Sequence, residues 1–129
     1  MDSGSGIVIG AGGHALVCIE VLQEMGLEVA GCVSSDGTAS ADLDAIGIEM
    51  LGTIDDLEAL RAQHRWAFVA VGANGPRRLL ANLIIRLGFE LVPAISNRAT
   101  VSPSAEIGAG ALIMPGVIVN ALASVGAGA

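Results

Sequence analysis

The sequence predicts an α/β chain in which a small parallel-sheet domain, residues 1–93, precedes the first coils of a parallel β-helix, residues 94–129. Three observations predict it: aliphatic runs alternating with helix-favouring segments, glycine turns where those runs stop, and a tail written in sixes. The tail speaks loudest. Ile95, Val101, Ile107, Ile113, Val119 and Val125 stand six apart, and Ala99, Ala105, Ala111, Val117, Ala123 and Ala129 follow each of them by four. Such a period marks a chain wound in flat triangular coils, one short strand per side and three sixes per turn. The aliphatic residue points into the prism and the small one fills the corner. Gly, Pro, Ser and Asn take the turns. An Ala/Gly-rich linker would not hold branched aliphatics in phase six times running.

In chain order, Ile7–Ile9 reads as a strand that stops at Gly10-Ala11-Gly12-Gly13-His14, and Ala15–Met25 as a helix closed by Gly26. Val29–Val33 is the second strand, broken at Ser34-Ser35-Asp36-Gly37. Residues 37–46 read as surface loop, and Ile46–Leu51 as a short strand or edge segment. Thr53-Ile54-Asp55-Asp56 resembles a capping box opening a helix to about His64. Trp66–Val71 is a strand stopped at Gly72-Ala73-Asn74-Gly75. Pro76 suits a first helical position, and that helix runs to Leu87 with Gly88 beyond. Phe89–Val92 is the last strand, and Pro93 hands over to the repeat.

A chain of 129 residues suits one domain, or one domain plus a fragment. With 53% hydrophobic but only 2% aromatic residues, its core is built of Ala, Val, Ile and Leu. The net charge of −7, without a lysine and with its 6 arginines scattered, argues against a nucleic-acid groove, which needs clustered cations. Cys18 and Cys32 lie in apolar runs without metal-ligand spacing and read as small buried residues. The start MDSGSG lacks the basic and apolar regions of a signal peptide, and no run reaches the ~18 apolar residues of a membrane helix. A cytoplasmic protein with no metal, nucleic-acid or membrane partner is expected.

In open parallel sheets, ligands bind outside the carboxyl ends of the strands. Three loops fall there: residues 10–14, 34–37 and 72–75. Gly10-Ala11-Gly12-Gly13-His14-Ala15 has the G-x-G-x-x-A form of a dinucleotide turn, whose glycines admit a diphosphate to the backbone and the helix N-terminus. A turn needed only for packing would favour the same glycines. The ring of His14 could point into the crevice, the plainer reading being a surface or capping histidine. Asp36 stands where an acid accepts hydrogen bonds from ribose or uridine, although loop aspartates often only form turns. Gly72 and Asn74 could let a base or sugar lie against the third loop. Arg77 and Arg78 are close enough to balance a diphosphate, or are solvated helix arginines. His64, at a helix end beside Arg61 and Arg65, takes the plain surface reading.

IVIGAGGHALVCIEVL, AVGANGPRRLL and VSPSAEIGAGALIMPGVIVNALASVG together resemble the bacterial hexapeptide-repeat sugar acetyltransferases. These include sialic acid O-acetyltransferases and UDP-4-amino-sugar N-acetyltransferases. The likeness covers nearly the whole chain, and a G-A-G-G-H-A turn joined to this repeat is an unusual pairing. It implies a Rossmann-like domain holding a nucleotide sugar, and a left-handed β-helix forming a homotrimer with acetyl-CoA between neighbouring coils. Carried over by motif, Gly12, Gly13, His14, the Ser35-Asp36 loop and Gly72 contact the acceptor. Gly10, Asn74 and Arg77 complete the predicted site.

Two departures from the family's pattern stand out. The second loop reads Ser34-Ser35-Asp36 where relatives often carry two adjacent acids. The family's general base is a histidine in a later coil, and residues 95–129 contain none. The resemblance thus implies acetyl transfer to a UDP-linked amino sugar or sialic acid. This chain would carry the acceptor part, with the acetyl-CoA groove mostly past residue 129 and no turnover of its own. A nucleotide-sugar-binding module is the first alternative. A nicotinamide-dependent oxidoreductase, which leaves the tail unexplained, is the second. The tail makes just short of two coils and shows nothing like a cap, so the chain reads as the front of a longer protein, expected to associate through its open coils.

Overall fold

A computed structural model describes residues 4–38 and 41–129. β1 (Gly6–Ile9) is the centre of a 5-stranded parallel sheet, flanked by β2 (Val29–Ser34) and β3 (Met50–Thr53) on one side and by β4 (Trp66–Val69) and β5 (Glu90–Leu91) on the other. Ile7 pairs with Gly31 and Ala67, and Ile9 with Val33 and Val69. A strand covered on both faces and both edges has no place for a polar side chain, and all of β1 is buried. A Cβ on Gly6 would run into the ring of Trp66, so the residue opening the central strand has to be small.

Helices cover both faces. α1 (Gly13–Glu24) and α2 (Ala41–Ala45) pack on one through Cys18, Ile19, Leu22 and Leu43, and α3 (Leu57–Arg61) and α4 (Asn74–Arg86) close the other through Leu57 and Ile84. The strand order β3-β2-β1-β4-β5 reverses direction at β1, so the carboxyl ends of β1, β2 and β4 open together. No described helix is long and apolar enough to cross a membrane.

Several local expectations are corrected. α2 occupies part of the stretch expected as loop, of which Ala39 and Ser40 lie outside the described residues. Its Leu43 is fully buried, and Gly47, at φ 75°, closes it by donating to Asp44 O at 3.0 Å while Ile48 N donates to Leu43 O at 3.0 Å. That closure displaces the following strand to Met50–Thr53. The Thr53–Asp56 capping box forms, with Thr53 N donating to Asp56 Oδ2 at 2.8 Å, but it opens a 3₁₀ turn (Ile54–Asp56) ahead of α3. α3 then ends at Arg61, because His64 turns inward. His64 is only 9% exposed, with Ser5 Oγ 2.8 Å from its Nδ1, a structural tie at the amino end of the sheet rather than a surface residue. α1 and α4 both begin early, so His14 is already helical and Pro76 is third in its helix, still within the turn that needs no N–H. β4 and β5 are shorter than the runs that suggested them.

After Pro93 the chain coils into the β-helix. β6 (Ala94–Ile95), β7 (Thr100–Val101) and β8 (Glu106–Ile107) form one turn, on which β9 (Leu112–Ile113), β10 (Ile118–Val119) and β11 (Ser124–Val125) stack in parallel. Ile95 pairs with Ile113, Val101 with Val119 and Ile107 with Val125, each partner three sixes along. Ile113 and Val119 are buried in the prism.

The leading edge of the first coil is covered by the end of α1. Met25 Sδ lies 3.2 Å from Ile95 N, Ser96 Oγ donates to Glu24 Oε2 at 3.2 Å, and Arg98 Nη2 donates to Glu24 Oε1 at 2.8 Å. Desolvation at this seat raises the pKa of Glu24, but the hydrogen bonds from Arg98 and Ser96 and the Arg98 charge outweigh it and hold the carboxyl below its ordinary 4.5. A depressed carboxyl lends stability above its unfolded pKa and withdraws it as pH falls through the folded one. Glu24→Gln is therefore expected to be less stable than wild type at pH 7, with the gap closing below pH 4.5. Urea denaturation across that range checks this, and a gap independent of pH would contradict it.

Candidate functional site

At the carboxyl edge of the sheet a crevice of about 350 Å³ opens between the ends of β1 and β2 and one flank of α4. Ile9, Gly10 and Ala11 lie along β1's end, Ser34 and Ser35 form a polar rim, and Ile54, Val71, Pro76 and Leu80 make an apolar wall. The turn that shapes it requires Gly10: its φ is +127°, its N donates to Val33 O at 2.8 Å, and a Cβ would stand 2.6 Å from Ala70 O. Around Gly12 and Gly13 there is open space where a Cβ would sit, so the first N–H groups of α1 are approachable.

The acids of this chain are distributed unevenly over its helix ends. α1 and α4, which start at the carboxyl edge, have no side-chain cap and no acid in the first turn. α2, the 3₁₀ turn and α3 all carry acids there. In a chain of net charge −7, the two ends beside the crevice thus keep free N–H groups and an uncompensated positive pole, which favours an anion.

Of the predicted residues, Gly10 and Ser35 line the crevice, Gly12 and Gly13 stand exposed at the start of α1, and Gly72 follows Val71 in the exposed third loop. Asp36 lies just past Ser35. Its Oδ1 accepts from Thr38 Oγ1 at 2.7 Å, Thr38 N at 3.0 Å and Ser34 Oγ at 3.3 Å, and these bonds, the Thr38 hydroxyl's first, hold its carboxyl below the usual range. The turn-forming role is thus real, and Oδ2 takes no hydrogen bond among the described residues. His14 is exposed and does not line the crevice, its Nε2 lying 3.7 Å from Cys18 Sγ one turn along α1. Burial pushes the thiol of Cys18 up to about 12, so it stays protonated. Asn74 and Arg77 sit on the other flank of α4, facing the coils, with Arg77 Nη2 donating to Asn74 Oδ1 at 2.7 Å.

Sequence reasoning placed Ser34 in a candidate loop without singling it out as a contact, and it missed the whole apolar wall. Pro76 and Leu80, four apart on one helix, carried a signal. Ile54 and Val71 come from separate segments and carried none.

Residues 7–84 match the PglD N-terminal domain family. Among solved structures, the chain is 38% identical to PerB from Caulobacter crescentus in complex with CoA and GDP-perosamine, with TM-score 0.88 over 97% of this chain and 58% of that one. A histidine-to-asparagine mutant of perosamine N-acetyltransferase from the same organism, also with CoA and GDP-perosamine, is 38% identical with TM-score 0.90, covering 98% of this chain and 59% of that one. The acetyltransferase domain of PglB from Neisseria gonorrhoeae, in complex with acetyl coenzyme A, is 34% identical with TM-score 0.80, covering 97% and 60%. The chain therefore spans 58–60% of the length of these relatives.

Gly10→Ala is expected to cost roughly 1–3 kcal/mol, the penalty of forcing a side chain into that backbone region. Urea denaturation measures it, and an unchanged midpoint would show the turn to be adaptable.

Proposed function

The chain belongs to the PglD N-terminal domain family, and from that premise we propose that it is the acceptor-binding part of an acetyl-CoA-dependent acetyltransferase acting on a nucleotide-linked amino sugar. The observation that carries this reading is the crevice flanked by two uncapped, acid-free helix ends. Ile54, Val71, Pro76 and Leu80 suit the face of a base, and Ser34 and Ser35 offer hydroxyls to its edge or to the ribose. Asp36 Oδ2 accepts from a sugar hydroxyl. Gly10, Gly12 and Gly13, with the first N–H groups of α1, take a diphosphate, and His14 and Gly72 border its path.

In the transfer, the amine nitrogen attacks the thioester carbonyl, a C–N bond forms, the C–S bond breaks and CoA leaves as thiolate. The amine proton must pass to a base, whose positioning contributes ~10²–10⁴-fold. No titratable residue among those described lines the crevice, and residues 95–129 contain no histidine. The 129-residue chain is accordingly proposed to hold the acceptor without acetylating it. That same observation is what favours the second reading, a pure binding module. The family resemblance suggests a UDP sugar, while GDP-perosamine is the ligand of the Caulobacter relatives, so both nucleotides are candidates. Assembly as a homotrimer is part of the proposal. Ile118 and Leu122 of the second coil are 70% and 84% exposed, apolar surface that a second chain would cover.

Titration calorimetry with UDP- and GDP-linked amino sugars, beside a thiol-release assay with acetyl-CoA, is expected to show binding without turnover. Gly12→Asp sharpens the test. Its carboxylate can cap α1, so stability is held or raised, while its charge at the diphosphate position weakens binding by about tenfold or more. Undiminished binding in this variant would remove the diphosphate from that turn.

A further inference from the structure

A second concavity is larger than the crevice. A groove of about 430 Å³ runs between α4 and a corner of the coils, on the flank of the helix opposite Pro76 and Leu80. Its helix wall carries Asn74, Arg77, Arg78 and Asn82 beside the apolar Ala81 and Ile85, and Leu91 also lines it. Its coil wall is Ala109, Ala127, Gly128 and Ala129, with no side chain longer than a methyl. No Asp or Glu side chain among the described residues lines it, although the chain has 13 of them to its 6 arginines.

Neither groove arginine is paired with an Asp or Glu side chain among the described residues. Arg77 is bonded to the neutral amide of Asn74, and Arg78 makes no hydrogen bond or ion pair among the described residues. Elsewhere, Arg98 pairs with Glu24, and Arg61 donates to the carbonyls of His64 and Gly88. Two guanidinium groups lining one groove, without an acidic side-chain partner and opposite a wall of small residues, suit a phosphate chain. The fork of donors grips its oxygens, and the bare backbone opposite lets it come close.

We propose that this groove is a phosphate-binding subsite in which Arg77 and Arg78 hold the diphosphate of a nucleotide. The inference rests on the transferase reading. Transfer from acetyl-CoA to a nucleotide sugar brings together two substrates that each carry a diphosphate, and the crevice with its glycine turn accommodates only one of them. The start of α4 borders both concavities, with Pro76 on one and Asn74 on the other. The groove's occupant is thus the diphosphate of the donor, with the acceptor's on the glycine turn, or else the diphosphate of an acceptor that lies across the helix end in place of that turn.

Titration calorimetry on the 129-residue chain tests this with inorganic pyrophosphate, UDP, GDP and coenzyme A as separate probes. Wild type is compared with Arg77→Ala, Arg78→Ala and the double variant, and Arg86→Ala, at the far end of the same helix, controls for net charge. These side chains lie on the outer surface of α4, and thermal unfolding verifies that each variant is folded. At least one nucleotide is expected to bind wild type and to lose about tenfold or more in the double variant, the effect of removing charge-assisted hydrogen bonds, with Arg86→Ala within about twofold. Loss for UDP or GDP assigns the groove to the acceptor, and loss for coenzyme A alone assigns it to the donor. Equal affinities in wild type and double variant, an equal loss in Arg86→Ala, or no binding of any probe overturns the subsite. Failure of the transferase reading has another signature: pyrophosphate binds in an arginine-dependent way, and the nucleotides bind no tighter than pyrophosphate.

Discussion

The seat of the first coil on the end of α1 is the contact on which the rest of the arrangement depends. A solenoid's leading strand presents backbone groups that the coil itself cannot pair, and leaving them without partners is costly. Here Met25 sulfur approaches the N–H of Ile95, and the Glu24 carboxylate gathers Ser96 and Arg98. An acid at a helix C-terminus is normally disfavoured by the helix dipole. Its presence makes sense only with those partners. The other end of the same helix is the Gly12–Gly13 turn, so one rod of 12 residues, about 18 Å long, sets the distance from the glycine turn to the coils.

α4 divides the concave surface on the opposite side of the sheet. Pro76 and Leu80 give one flank an apolar wall, and Asn74, Arg77 and Arg78 give the other a cationic one. A chain of net charge −7 would on average repel a nucleotide. The local arrangement departs from that average, because the starts of α1 and α4 and the described groove lining carry no acidic side chain, while the carboxylates of α2, the 3₁₀ turn and α3 sit elsewhere. The interaction that matters to a bound anion is with the nearest dipoles and guanidinium groups, since more distant surface charges are screened within roughly 10 Å.

Much of this was legible in the residues. Ile95 and its five successors announce the coil because every one of them faces the same environment, and that repetition is a local property. The glycine turn after Ile9 and the capping pair Thr53–Asp56 are likewise contacts between near neighbours. α2 was not legible, since its five residues are too few to show a period and its stability comes from Leu43 packing into a distant core. His64 looked like a helix-end surface residue because its partner, Ser5, lies 59 positions away.

Taken alone, the amino-acid order determined the alternation of strand and helix, the parallel sheet and the three-sided coil, because these rest on periodicity and on turn chemistry within a few residues. Only the tertiary structure decided that α1 caps the coil, that Ile54 and Val71 share a wall with Pro76 and Leu80, and that Arg77 faces away from the crevice its neighbours line. The physical reason is range. Helix and turn are set by interactions over three or four positions and the coil by a repeat of six, whereas a crevice wall is made by side chains that meet only after the whole sheet has closed.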